Sequence, residues 1–452
     1  MNQQANFSQD PIHETKGTPT IGLIGATLGF FIGFAAVVAL GATAKFLKPE
    51  FKDIGISVFL IGLLVAMPNL SGSLLRIPFA AWSDSVGSRK SLLVLLVLST
   101  FGMFGLVLVG IFIYPDFEQW HYPLLLFLGA LAGCGIATFS VGISQTSYWY
   151  PQKEQGKALG IYAGLGNTAP GIFSLIMAIA LAMSDEDLGV SYALWFVLLG
   201  IGTVLYYIMG LNAWSFQLME KGVPPEEAKA KAEELGQELF PAHNLRQSLE
   251  VSGRVWQTWA LVALYFTSFG GFIALAAWFP TYWNEFHSVG KMQIIGLDLK
   301  LSVALLLNAV FVIVGALTRV VSGSIADKIT GELTTTGGLL VLLAGSIIMI
   351  IATEKSYDLA VVGMLIISVG MGIVNAGVFK MVPKAVPNAV GGAAGWIGGL
   401  GAFGGFVIPP IMGGFVDIYE DIGYAYGFVS FTILSIISLF VTRVLIKSKG
   451  SS

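Results

Sequence analysis

Charge is scarce in this chain, and cysteine is nearly absent. Asp, Glu, Lys and Arg make up 11% of its 452 residues, against about 25% in a soluble domain. Most of its surface is therefore not made for water, which excludes an ordinary cytosolic enzyme and a nucleic-acid binder. The net charge of −3 is too small to name a partner. The single Cys134 permits no intrachain disulfide and excludes a secreted disulfide scaffold; in its apolar run it reads as packing. No nucleophile–base set, metal-ligand cluster or phosphate loop is visible, so no enzyme, cofactor or metal is expected. The first twenty residues are polar and lack the basic start of a signal peptide.

What the chain has is apolar length. Hydrophobic residues reach 55% and the mean hydropathy is +0.78. Runs of about twenty apolar residues, enough to cross a bilayer at ~1.5 Å per residue, recur at 21–44, 55–80, 91–114, 122–147, 158–183, 190–213, 256–283, 301–325, 336–353, 358–381, 391–416 and 422–446. This predicts an all-α integral membrane protein of twelve transmembrane helices. The longest polar interruption, 214–255, reads as a linker with one short surface helix. The expected organisation is a polar tail (1–20), a six-helix half (21–213), a cytoplasmic linker (214–255), a second six-helix half (256–446) and a short tail (447–452). With both termini cytoplasmic, sixteen of the 24 Lys and Arg fall inside and six outside, as the positive-inside rule asks.

Two of the 24 fall within spans, and they are repeat-related. Gly72, Leu74, Arg76 and Asp84 recur as Gly315, Leu317, Arg319 and Asp327, all at one offset of 243. Four matches in register indicate duplicated, pseudo-symmetric halves, with a site expected between them near the midplane. The loops after these arginines, Asp84-Ser-Val-Gly87-Ser-Arg89-Lys90 and Gly323-Ser-Ile-Ala-Asp327-Lys328, resemble the Gly-x-x-x-Asp-(Lys/Arg)-x-x-Gly loop of the major facilitator superfamily. Ala80 replaces the leading Gly in the first copy, and Glu332 stands where basic residues follow in the second. The loops are expected to act as cytoplasmic gates.

Each Arg lies eight residues, or roughly 12 Å of helix, inside its Asp, and half a hydrocarbon core is about 15 Å. A charge at that depth costs at least ~2.5–3.5 kcal/mol unless something neutralises it. None of the 27 Asp and Glu falls in the middle of a span. Two central cations without a counter-ion describe a cavity for an anion, and the flat guanidinium fork suits planar oxyanions. The alternative is that each Arg snorkels to the cytoplasm along its stem.

Two glycine-rich segments also repeat, Gly160-x-x-x-Gly164-x-Gly166-Asn167 and Gly395-x-x-x-Gly399-x-Gly401, at an offset of 235. Small residues at this spacing let helix backbones approach in lipid. Together with Arg76 and Arg319, these segments resemble the signatures of the nitrate/nitrite porter family within that superfamily, and the likeness covers essentially all twelve spans. The resemblance implies that Arg76 and Arg319 grip the anion and that Asn167 hydrogen-bonds it. It implies that Phe139, Tyr265 and Phe269 frame it, as rings above and below a planar slot with Tyr265 donating a hydrogen bond. Ala402 stands opposite Asn167, so the polar contacts are not two-fold symmetric. Ser140, Ser144, Thr318, Asn308 and Asn375 are further candidates to face the cavity.

The expected function is secondary transport of nitrate and/or nitrite across a bacterial inner membrane by alternating access, with nitrate/nitrite antiport first. An empty cavity with two unpaired cations resists closure, which makes exchange obligatory. Anion–proton symport is the alternative, although no titratable carboxylate or histidine stands at mid-depth. Another small anion such as formate or phosphate, or a nitrate sensor on a transporter fold, are the remaining readings. The partners expected are the small anions and the bilayer, with no nucleic acid and with function as a monomer.

Overall fold

The computed structural model describes residues 14–240, 245–294, 299–386 and 390–449; most of the expected polar tail and the last residues of the chain lie outside it. Twelve helices among the described residues are long and apolar enough to cross a membrane. They are Pro19–Val38 (α1), Val58–Val86 (α2), Ser88–Phe112 (α3), His121–Trp149 (α4), Lys153–Met183 (α5), Leu188–Met209 (α6), Trp256–Glu285 (α7), Val303–Ala326 (α8), Gly331–Ile351 (α9), Tyr357–Val382 (α10), Gly392–Tyr426 (α11) and Val429–Ser448 (α12). They form two six-helix halves, α1–α6 and α7–α12.

Composition decides which helices are central. The most apolar window of α7 is 89% buried and that of α12 only 28%. A helix that is apolar all round belongs inside protein, whereas α12 spends its apolar surface on lipid. The segment between α6 and α7 holds three short helices, Trp214–Glu220, Pro225–Glu234 and Leu245–Gly253, rather than one. Phe216 and Trp149 pack together there, so apolar contact as well as charge organises the linker. A two-stranded ribbon, Lys291–Gln293 with Lys300–Ser302, joins α7 to α8; three-residue strands leave too little periodicity to read in sequence.

Four of the central helices depart from α geometry, in opposite senses in the two halves. Helix α1 tightens to 3₁₀ turns at Ala35–Val38, and α4 does so at Cys134–Ala137. Helix α7 widens to a π turn at Phe266–Gly270, and α11 at Ile397–Gly401. Such turns concentrate where a helix must re-aim side chains or free a carbonyl. A Cβ on Gly270 would stand 2.7 Å from the Gly401 carbonyl oxygen, so the two π turns meet backbone to backbone.

The halves are sealed on the side away from the linker. Lys48, in the helix Ala44–Asp53, pairs with Glu285 of α7 and donates to Tyr424 of α11 at 2.7 Å. Asp417 of α11 accepts from the first amides of α2, Val58 and Phe59, at 2.8 and 2.7 Å. Lys291 meets Glu186 at 3.2 Å, and Asn308 of α8 donates to Ser174 of α5 at 3.0 Å. On the linker side the halves also meet, Gly399 against Ile77 and Gly164 against Val320.

Candidate functional site

The repeat-related arginines come from α2 and α8 and stand on either side of the junction between the halves. Helix α2 is interrupted by a turn at Leu75, immediately before Arg76. Arg76 is 1% exposed. Its Nη1 donates to the carbonyl of Gly398 at 2.8 Å, a bond from the first half to the π turn of the second. Its Nε and Nη2 are buried without a partner. The guanidinium carbon lies 4.9 Å from the ring centre of Phe139 and 5.4 Å from that of Phe269.

Arg319 is less enclosed. Its Nη1 donates to the Tyr265 hydroxyl at 3.4 Å, which leaves the tyrosine proton free to donate elsewhere. The guanidinium carbon lies 5.6 Å from the ring centres of both Phe269 and Phe379. Phe269 is thus shared by both cations, and the ring faces supply a partial, diffuse counter-charge. Among the described residues no carboxylate pairs with either guanidinium, and neither head points out along its stem to solvent at the linker side.

The aromatic frame is packed rather than open. Phe139 and Phe269 have centroids 6.0 Å apart with planes 26° from parallel, and Tyr265 stacks on Phe269 at 4.8 Å and 8°. A flat anion between two rings needs roughly 7 Å, twice a carbon contact distance. The expected slot between Phe139 and Phe269 is therefore absent: the rings stack on each other. A small cavity of about 10 Å³, room for roughly one water, lies on the Arg319 side, lined by Asn167, Phe269, Phe272, Gly315, Ala316, Arg319 and Asn375. Asn167 stands at the break of α5, where Thr168 and Pro170 interrupt the helix; the proline has no N–H to continue the ladder.

The signature glycines do different work. A Cβ on Gly166 would collide with Phe30, and one on Gly401 with Tyr265 at 2.7 Å. Gly164 faces a Val320 methyl, Gly399 faces Ile77, Gly395 has only ordinary contact with Leu249, and Gly160 faces nothing within 4 Å. Only part of the repeated spacing is thus demanded by packing.

The linker-side loops tie helices within one half. Tyr148 of α4 donates to Asp84 at 2.6 Å, and Arg89 donates to the Tyr207 carbonyl of α6 at 2.7 Å. Gly87 has φ of +84°, and Asn212 occupies the space a Cβ would need while accepting from the Arg89 amide at 2.9 Å. Lys90 and Lys328 are exposed, Gly323 has open space at its Cβ position, and the Asp327 side chain lies outside the described residues. Among the described residues, the ion pairs that cross between halves are instead those of the opposite seal. The carbonyl of Gly398 and the ring of Phe379, which meet the two arginines, were not legible as site components. An apolar ring in an apolar helix carries no distinguishing signal, and a backbone carbonyl carries none at all.

The model of the Major Facilitator Superfamily matches residues 23–409. The chain is 27% identical over 407 residues to the "Probable nitrate/nitrite antiporter NarK1" of Thermus thermophilus, covering 86% of this chain and 83% of that one. It is 26% identical over 390 residues to the "Nitrite extrusion protein" of Bacillus subtilis, covering 85% of each. Its fold is similar to that of the xylose transporter XylE from E. coli in a partially occluded, inward-open conformation, with a TM-score of 0.72 at 16% identity over 94% of this chain and 97% of that one. The chain is a multi-pass membrane protein that belongs to the Major Facilitator Superfamily.

Proposed function

We propose that this protein moves nitrate and nitrite across a bacterial cytoplasmic membrane, exchanging one for the other by alternating access. The observation that carries the reading is the pair of guanidiniums at the junction of the halves with no carboxylate partner among the described residues. A buried charge without a partner is costly, and a small oxyanion supplies the missing one. The curated relatives' names specify nitrate and nitrite, whose planar oxygens match an Arg fork.

In this mechanism the anion enters from the linker side, which is cytoplasmic by the Lys/Arg bias. It sits against Arg319, Asn167 and the free Tyr265 hydroxyl proton, and it reaches the unused Nε and Nη2 of Arg76 as Phe269 shifts. One negative charge held between the two cations offsets their mutual repulsion and lets the linker-side ends of α2, α5, α8 and α11 close, while the seal at Lys48, Glu186 and Asp417 opens. The halves, 21–213 and 256–446, rock about the site, the 214–255 segment tethers them, and one copy suffices. Without an anion, mutual repulsion of the arginines opposes closure, so the empty carrier does not cross and exchange is obligatory.

The test is nitrate flux into proteoliposomes preloaded with nitrite and into empty ones under a pH gradient. Uptake that needs internal nitrite is expected. Uptake into empty vesicles driven by protons alone would overturn exchange in favour of symport.

A further inference from the structure

Resting on the anion-site reading above, we infer that Asn375 of α10 is a direct ligand of the transported anion and shares its oxygens with Arg319 and Asn167. Among the described residues five asparagines are buried. Three of them use their amide nitrogen or oxygen structurally: Asn69 donates to the Gly405 carbonyl, Asn308 to Ser174 and the Ala276 carbonyl, and Asn212 links the Arg89 amide to Glu220. The other two, Asn167 and Asn375, make no hydrogen bond among the described residues. These two are the ones that line the cavity beside Arg319.

The contrast matters because a buried amide without partners is expensive. Asn167 is 1% exposed and Asn375 3%, so bulk water does not satisfy either. In both the Oδ1 atom is buried without a partner, and among the described residues nothing accepts from either Nδ2. Unpartnered amides lining a cavity that already holds a guanidinium call for an acceptor with several oxygens.

Helix geometry explains why α10 delivers this residue. Gly372 lies against α8 backbone to backbone, since a Cβ there would stand 2.7 Å from the Gly315 carbonyl oxygen and 3.0 Å from the Arg319 amide nitrogen. Asn375 follows three residues later and Phe379, which lies over the Arg319 guanidinium, four after that. This i, i+3, i+7 spacing is one helical face, and here it is the face turned to Arg319. The first half offers Asn167 from α5 and the second offers Asn375 from α10, so one anion bridges amides of both halves.

The experiment is potassium nitrate uptake by nitrite-loaded proteoliposomes carrying Asn375→Ala, Asn375→Asp or Asn375→Gln, with thermal unfolding of each variant recorded. Asn375→Ala removes the donors without adding charge, Asn375→Asp preserves shape but exchanges the donors for a carboxylate beside Arg319, and Asn375→Gln retains them on a longer stem. The expected result is a rise of at least tenfold in half-saturating nitrate for the Ala and Asp variants, a smaller rise for Gln, and wild-type melting for Asp. An unchanged half-saturation for Asn375→Asp, in vesicles where Asn167→Ala raises it, would overturn the role of Asn375 and leave the transport reading standing. Wild-type vesicles that take up no nitrate would overturn both.

Discussion

Replacing Arg76 by lysine keeps one positive charge on α2 and removes the planar fork. In the structure the guanidinium spends one donor on the Gly398 carbonyl at 2.8 Å and holds Nε and Nη2 unpartnered. It also packs within 5.4 Å of two ring centres. A lysine ammonium is a point charge that can keep the carbonyl contact or meet the anion, but cannot present two parallel donors while doing both. A hydrogen bond to a charged group contributes about 1.5–3 kcal/mol, and each ~1.4 kcal/mol is a factor of ten. Arg76→Lys is thus expected to raise half-saturating nitrate by roughly 10- to 100-fold. The assay is concentration-dependent nitrate exchange in proteoliposomes at fixed ionic strength, so that screening of the retained charge is constant. A half-saturation within twofold of wild type would refute recognition by the fork and leave only charge.

Other expectations follow from particular contacts. Gly401→Ala places a methyl 2.7 Å from the Tyr265 ring and should cost about 1–3 kcal/mol of overpacking with loss of transport. Gly160→Ala meets nothing and should leave transport intact while stabilising its helix by up to ~1 kcal/mol; paired thermal melts and flux assays compare them. Asp417→Ala removes the acceptor that caps α2 from the opposite half, a contact of about 1 kcal/mol. Cysteine labelling of seal-side positions should then rise about fivefold, and unchanged labelling would show that the cap does not hold the seal. Burial raises the Glu186 carboxyl, and Lys45 and Lys291 outweigh this, holding it below its ordinary value of 4.5. A depressed carboxyl stabilises above its unfolded pKa, and the benefit is lost as pH falls through the lower folded value. Seal-side labelling should therefore increase from about pH 4.5 downward, and Glu186→Gln should remove that dependence.

Much of the fold was legible because bilayer physics is severe. Every span needs about twenty apolar residues, and the twelve runs in the chain correspond to α1–α12 within a few residues at most ends. Helix α2 runs on to Val86, beyond the apolar stretch, because Asp84 is held by Tyr148 rather than by water. A pattern of hydropathy cannot anticipate that rescue. The ribbon at Lys291–Ser302 and the extra linker helices escaped notice because short elements carry no period.

The site divides the same way. That two arginines sit at mid-depth on matched helices, with no acidic residue in the middle of any span to answer them, follows from residue type and spacing alone, since a repeat offset and a charge count survive any packing. Which rings surround them does not follow, because the chain has 31 phenylalanines and local sequence does not distinguish Phe269, shared by both cations, from one facing lipid. Tertiary contact alone decided that Phe139 and Phe269 stack instead of parting, that the opening lies toward Arg319, and that Asn167 and Asn375, two of the five buried asparagines among the described residues, are left without partners there. Those outcomes depend on how closely glycine-lined backbones approach across helices far apart in the chain, a distance that no single stretch of sequence encodes.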